Sequence, residues 1–259
     1  MLKDYVAFIF DLDGCIYRGN TIIPGAAEKI GELRKLGKKV LFLTNNATKT
    51  PEEYVDKLTG MGIDTNPMEI LTSATATALY LAKNFGKALI FPVGEGGLIV
   101  ELQRAGHRII DVNKLGEAEF VVACLDFSFT YAKMKAACQA IFAGAKFVAT
   151  NTDPNVPVEG GYMPGAGAIV SAISTATGVK PLVIGKPSKH IVEIALERLG
   201  VRAARTVIVG DRLDTDVQSG KMVGAFTILV LSGATSLEKA KETKLKPDLI
   251  LPSISHIPV

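Results

Sequence analysis

Four apolar runs in this chain of 259 residues stop at residues able to do chemistry. Residues 6–10, VAFIF, run into Asp11-Leu12-Asp13-Gly14, and VLFL runs into Thr44-Asn45-Asn46. PLVIG runs into Lys186-Pro187, and TVIVG into Asp211, with Asp216 five positions further on. Each fragment alone has a bland reading. DxDG makes an Asx-type turn after a strand, Thr-Asn-Asn makes a loop, and a lone lysine is solvated. The acids of GDxxxxD suit a helix N-terminus, where Thr215 and Gln218 have the spacing of a capping box. Taken together they point to one chemistry. In an open α/β sheet, ligands bind beyond the carboxyl ends of the strands, so if these strands are parallel neighbours their terminal groups converge on one rim. Crowded carboxylates such as Asp11, Asp13 and Asp211 repel unless a cation neutralises them, and an all-oxygen ligand set with room for water suits Mg²⁺. Lys186 and the Thr44 hydroxyl would then serve a phosphate group. Phosphate monoesters hydrolyse very slowly unaided, so an enzyme needs a nucleophile, charge neutralisation and a proton for the leaving group. A carboxylate nucleophile, Mg²⁺ with Lys186, and a second carboxylate as general acid supply all three.

The elements that must hold these residues are short β-rich runs alternating with helical patterns, which is the signature of βαβ units and a parallel sheet. Pro24-Gly25 opens a helix that Gly37 closes, and Pro51 opens another with Thr50 and Glu53 at capping-box spacing. The alternation restarts near Lys87. A stretch rich in Gly and Pro, residues 152–167, reads as a loop leading into AIVSAISTATG, and strand–helix alternation then resumes to the end. The pattern predicts a doubly wound, mostly parallel Rossmann-like sheet, split in sequence into residues 1–80 and 181–259. An inserted α/β module occupies residues 81–180.

Composition narrows the function classes. Apolar residues make up 48 % of the chain and charged residues 21 %, as in an ordinary globular protein with a large core. A net charge of +3 and no basic run with interleaved aromatics argue against nucleic acid as a partner. No apolar stretch reaches membrane-spanning length, and MLKDYVAFIFDLDG has no leader-like apolar region with a cleavage site, so the chain is expected to be cytoplasmic. Cys15, Cys124 and Cys138 have neither CxxC nor Cys/His spacing, so no disulfide framework or zinc site is indicated. His107, His190 and His256 are scattered, without the pairing a metal site needs.

D-x-D-G, T-N-N, G-K-P and G-D-x-x-x-x-D, in this order, resemble the four motifs of the haloacid dehalogenase superfamily of phosphatases. FDLDGCIYRG, FLTNNATKTPEEYV, GAKFVATNTDPNVP, PGAGAIVSAI, VIGKPS and VGDRLDTDV resemble its NagD-like, 4-nitrophenylphosphatase branch, and the resemblance covers nearly the whole chain. It implies that the insertion is a C2-type cap, and that the chain is a Mg²⁺-dependent phosphomonoesterase acting on small phosphorylated metabolites. It further implies that Asp11 attacks phosphorus to form an aspartyl-phosphate. Asp13 would protonate the leaving oxygen and later deprotonate water. Asp11, Asp211 and the Asp13 carbonyl would hold Mg²⁺, Thr44 and the Asn45 backbone would bind the phosphoryl group, Lys186 would balance its charge, and Asp216 would act from behind the metal ligands. The local spacing agrees with the division between the two acids, because groups two positions apart across a turn can reach opposite sides of one phosphorus.

Several features carry weaker readings. Cys15 stands where relatives more often have Thr or Val and reads as a small packing residue. Asp214 could contact substrate or a metal-bound water, or be a solvated loop acid. GEGG at residues 94–97 is a tight turn into a helix and matches no phosphate-binding fingerprint. A loop as long as residues 152–167 is usually functional, which makes Asn151, Asp153 and Tyr162 candidates for touching the leaving group, and the cap surface could support a homodimer. Two other functions use a similar rim: a phosphoryl mutase, and a phospho-accepting receiver-like switch. The switch belongs to shorter, uncapped domains with the accepting Asp on a later strand.

Overall fold

The computed structural model describes residues 2–158 and 160–258. In chain order it runs β1 (Ala7–Phe10), β2 (Tyr17–Arg18), β3 (Thr21–Ile22), α1 (Ala26–Lys35), β4 (Lys39–Thr44), α2 (Pro51–Gly60), β5 (Ile70–Thr72) and α3 (Ser73–Phe85). Then follow β6 (Leu89–Val93), α4 (Gly96–Arg104), β7 (Arg108–Ile109), β8 (Phe120–Ala123), α5 (Tyr131–Phe142), β9 (Lys146–Ala149), β10 (Asn155–Val158), β11 (Gly161–Pro164) and α6 (Ala166–Thr177). The last elements are β12 (Leu182–Val183), α7 (Lys189–Leu199), β13 (Thr206–Gly210), α8 (Gln218–Val223), β14 (Phe226–Val230), α9 (Leu237–Glu242) and β15 (Leu249–Leu251).

The chain packs as two compact units. The first contains the chain up to Thr44, Pro51–Leu71, and everything from Lys186 on. Its six-stranded sheet has the order β15-β14-β13-β1-β4-β5, with parallel pairing of β1 to β4, β1 to β13, β13 to β14 and β14 to β15. The fold is therefore α/β and doubly wound. Continuous apolar runs are what such a sheet demands, since both faces are covered. Every residue of β1 and of β13 is buried. Phe8, Phe10, Val40, Phe42, Val207 and Val209 share one core with Ile30 and Leu33 of α1 and Tyr54 and Leu58 of α2. Leaving β1, the chain builds the sheet outward through β4 and β5, and returns on the other side through β13. Strand β1 is thus the switch point, whose carboxyl end is where such sheets bind ligands.

The second unit comprises Asn45–Thr50 and Thr72–Gly185. Its five-stranded sheet has the order β12-β9-β8-β6-β7 and its own core, in which Phe91, Val121, Phe147, Ile141 and Ile173 meet. Two local expectations change here. The run before Lys186 is not a strand of the first sheet, because β12 pairs in parallel with β9 in this one. A two-residue apolar strand carries no mark of which sheet it joins. The Gly- and Pro-rich stretch is not a bare loop either. It contains an antiparallel hairpin, β10 with β11, in register Asn155 to Pro164 and Val156 to Met163. Position 97 shows why a glycine opens α4. A Cβ there would stand 2.6 Å from the Thr48 carbonyl carbon.

Candidate active site

Asp11 is the first residue past β1, and its amide donates to the Val209 carbonyl of β13 at 2.8 Å. The strand ladder thus continues one step beyond the sheet and fixes where the carboxylate begins. Thr44 ends β4 and is buried, with its side chain hydrogen-bonded to Tyr54 of α2. Asp211 is the first residue past β13, so three adjacent strands deliver their terminal polar residues to one edge.

Lys186 lies at the centre. It is 3 % exposed, and its ammonium donates to Asp11 Oδ1 at 2.7 Å and to Asp216 Oδ1 at 2.6 Å. The backbone amide of Arg212 donates to the other Asp216 oxygen at 3.1 Å. Asp216 is therefore held from both sides, by the lysine and by the turn it belongs to. That turn is a π-helical one, Leu213–Val217, leading directly into α8. The capping box expected between Thr215 and Gln218 does not form, because Asp216 itself accepts the amide that opens the turn.

Asp211 is gripped differently. Its Oδ2 accepts the Ala234 amide at 2.5 Å, whereas its Oδ1 is buried with no hydrogen-bond partner. Two glycines make room for this carboxylate. A Cβ on Gly14, whose φ of 82° already excludes most side chains, would stand 2.4 Å from Asp211 Oδ2, and one on Gly233 would stand 2.0 Å from it. The turn after β14, Ser232 to Ala234, is thus part of the site although sequence reading missed it. Its only signal is a glycine following a strand, which any turn would show.

The electrostatics follow from the count of charges. Carboxylate oxygens of Asp11, Asp211 and Asp216 lie within 4.8 Å of one another, and among the described residues one ammonium, that of Lys186, is paired with them. Burial raises the Asp11 pKa above its ordinary value, against the pull of Lys186. Burial, then repulsion from Asp11 and Asp216, pushes Asp211 up to about 8. Burial also carries Asp216 to about 6 despite Lys186. For the lysine, burial alone would lower the pKa, but Asp11 and Asp216 outweigh it and hold the group charged. One buried ammonium cannot balance three crowded carboxylates, two of them buried. An orphaned carboxylate oxygen, a surplus of negative charge and purely oxygen donors fit a hard divalent cation.

Asp13 is exposed and points its carboxylate to the Tyr17 hydroxyl, which donates to Oδ2 at 3.4 Å. Cys15 is fully buried against the Val209 carbonyl, and burial followed by the nearby acids pushes its thiol well up, so it packs and does not attack. Asp214 is an exposed acid that accepts from Arg212 Nε at 3.2 Å and Nη2 at 3.0 Å. Partial burial would raise its pKa, but Arg212 outweighs that and holds it below the ordinary value. It belongs to a surface ion pair. Asn45 follows Thr44 directly but packs with the second unit, as do Asn151 and Asp153. Tyr162 is 74 % exposed on β11 of that unit. Among the described residues, no helix is long and apolar enough to cross a membrane.

Residues 8–108 match the family described as haloacid dehalogenase-like hydrolase, and residues 183–257 match its companion, HAD-hydrolase-like. An acid sugar phosphatase of Staphylococcus haemolyticus is 41 % identical over 246 residues, which is 95 % of this chain and 92 % of that protein. The p-nitrophenyl phosphatase of Archaeoglobus fulgidus superimposes with a TM-score of 0.92 at 38 % identity, covering 97 % of both chains. NagD of E. coli K-12 does so with a TM-score of 0.91 at 36 % identity, covering 98 % of both. The chain belongs to the haloacid dehalogenase-like hydrolases. Within them it is a phosphatase, similar to NagD and the nitrophenylphosphatases.

Proposed function

We propose that this phosphatase is a Mg²⁺-dependent phosphomonoesterase that hydrolyses small phosphorylated metabolites through an aspartyl-phosphate on Asp11. The observation that carries the reading is the buried triad of Lys186 with Asp11 and Asp216, set beside the orphaned oxygen of Asp211 at the switch point of the sheet. Asp11 Oδ2 attacks phosphorus while Oδ1 stays on Lys186, so the lysine fixes which oxygen is free to react. Thr44 and the backbone N–H of Asn45 take the non-bridging oxygens of the phosphoryl group. Asp13, exposed and within reach of the Tyr17 hydroxyl, protonates the departing oxygen. It then takes a proton from the water that attacks the phosphorus and splits the Asp11 ester. Asp11, Asp211 and the Asp13 carbonyl would hold a divalent cation, which would neutralise the meeting charges. Asp216 keeps Lys186 in place from behind.

The inserted unit is read as a C2-type cap, with leaving-group selection assigned to it. A relative named acid sugar phosphatase and another named p-nitrophenyl phosphatase suggest sugar phosphates as natural substrates and 4-nitrophenyl phosphate as a convenient assay. Turnover of 4-nitrophenyl phosphate with Mg²⁺ tests the reading. Many phosphates per chain are expected, at least about a thousandfold fewer from Asp11→Asn, with the circular dichroism spectrum of that variant unchanged. Near-normal turnover in Asp11→Asn removes Asp11 as nucleophile.

A further inference from the structure

The residue assigned to present a backbone N–H to phosphate, Asn45, is held by side chains far away in sequence. Its carbonyl accepts Asn151 Nδ2 at 2.7 Å and Ser73 Oγ at 2.5 Å, while its own side-chain amide donates to Asp153 Oδ2 at 3.0 Å. Asp153 is itself fixed by its backbone: its amide donates to Asn151 Oδ1 at 3.1 Å, and its carbonyl accepts the Gly167 amide at 2.9 Å. The approach is close enough that a Cβ on Gly165 would stand 2.3 Å from the Asp153 carbonyl oxygen. All these groups belong to one packing unit.

We propose that Asp153 is a positioning residue for the phosphate-binding turn, and not a contact to the leaving group. A carboxylate accepting from a side-chain amide makes a charge-assisted bond, stronger than a neutral one. Together with the two donors on the Asn45 carbonyl, it anchors the residue on two branches from its Cα and so sets the direction of the N–H on the third. The inference rests on the reading of Asn45 as a phosphoryl ligand.

Inorganic phosphate separates positioning from leaving-group contact, because it has no leaving group. In Asp153→Ala the inhibition constant for inorganic phosphate is expected to rise about tenfold, as for loss of one charge-assisted hydrogen bond. The value of kcat/KM should fall by the same factor for 4-nitrophenyl phosphate and for a sugar phosphate. Asp153→Asn, which keeps an acceptor for the Asn45 amide, should recover to within about threefold of the parent. Asp153→Ala combined with Asn45→Ala should be no worse than either alone, since both remove one bond. An unmoved phosphate constant, with losses in kcat/KM that differ between substrates, would overturn the proposal in favour of a leaving-group contact. Full additivity of the two alanine variants, or an Asp153→Asn as impaired as Asp153→Ala, would also overturn it. If Asp153→Ala does not fold, the Asp153→Asn and Asn45→Ala proteins carry the same comparison. Asp11→Asn assayed in parallel tests the reading beneath. Turnover persisting there removes the phosphoryl-transfer site itself, whereas a dead Asp11→Asn with unmoved phosphate binding in Asp153→Ala removes only the role of Asp153.

Discussion

Lys186 shows how one side chain can make a site and leave it unfinished. Its ammonium satisfies Asp11 and Asp216 but leaves Asp211 Oδ1 without a partner. The consequence is a pH dependence whose sign follows from the shifts. Asp211 rises from the ordinary 3.8 to about 8 and Asp216 to about 6. A carboxyl raised on folding binds more protons in the folded state than in the unfolded one. Its contribution is complete below the ordinary value and is lost as pH climbs through the raised values. Metal-free protein is therefore expected to melt at a lower temperature near about pH 8.5 than near about pH 5.5, with Mg²⁺ restoring more at the higher pH. Differential scanning in chelator and in Mg²⁺ reads this, and an equal Mg²⁺ increment at both pH values would contradict it. Lys186→Met removes the cation that pairs with Asp11 and Asp216. It is expected to cost about 3 kcal/mol in metal-free urea unfolding at neutral pH, less in acid, and to lower turnover at least about a hundredfold. These residues are legible in the sequence because a charged group directly after an apolar run is out of keeping with the strand it ends. Asp153 is visible only as a polar residue in a long loop, and nothing in its neighbourhood names Asn45 as its partner.

At the scale of elements, the site is a set of strand ends, and its precision comes from how deeply the strands are buried. Phe10→Ala in β1 would empty space between Phe8 and Phe42, its aromatic neighbours at 6.1 and 6.4 Å. It is expected to destabilise by about 3–5 kcal/mol, while Phe142→Ala at the exposed end of α5 stays within about 0.5 kcal/mol. Equilibrium urea unfolding compares the two directly. The turn after β14 makes a sharper demand. Gly233→Ala would place a methyl 2.0 Å from Asp211 Oδ2, so Mg²⁺ affinity, measured by calorimetry, is expected to fall at least about tenfold while the circular dichroism spectrum is kept. The long, doubly buried strands can be read from sequence because continuous apolar runs have few other uses. The short ones cannot. Leu182–Val183 offers two residues to decide between two sheets, and the π-helical turn at Leu213–Val217 arises from a contact between Asp216 and the Arg212 amide that propensity does not encode.

For the whole molecule, the alternation of elements makes an α/β chain with an insertion evident, whereas packing decides which residues belong to which unit. Cation binding should register in one unit only. In hydrogen exchange, Mg²⁺ is expected to slow the amides around Asp11, Asp211 and Ala234 while β6, β8 and β9 exchange at the same rate with and without it. Equal protection throughout both units would contradict a site confined to the first. The separation of Thr44 from Asn45, one packed in each unit, bears on how such enzymes can be recombined. A chimera that exchanges only the contiguous segment Thr72–Gly185 with that of a relative would import a foreign Asp153 and Asn151 while keeping the resident Asn45. The exchangeable module is discontinuous. A working transplant should carry Asn45–Thr50 with it, so exchange of the insertion is constrained at a hexapeptide that lies outside it.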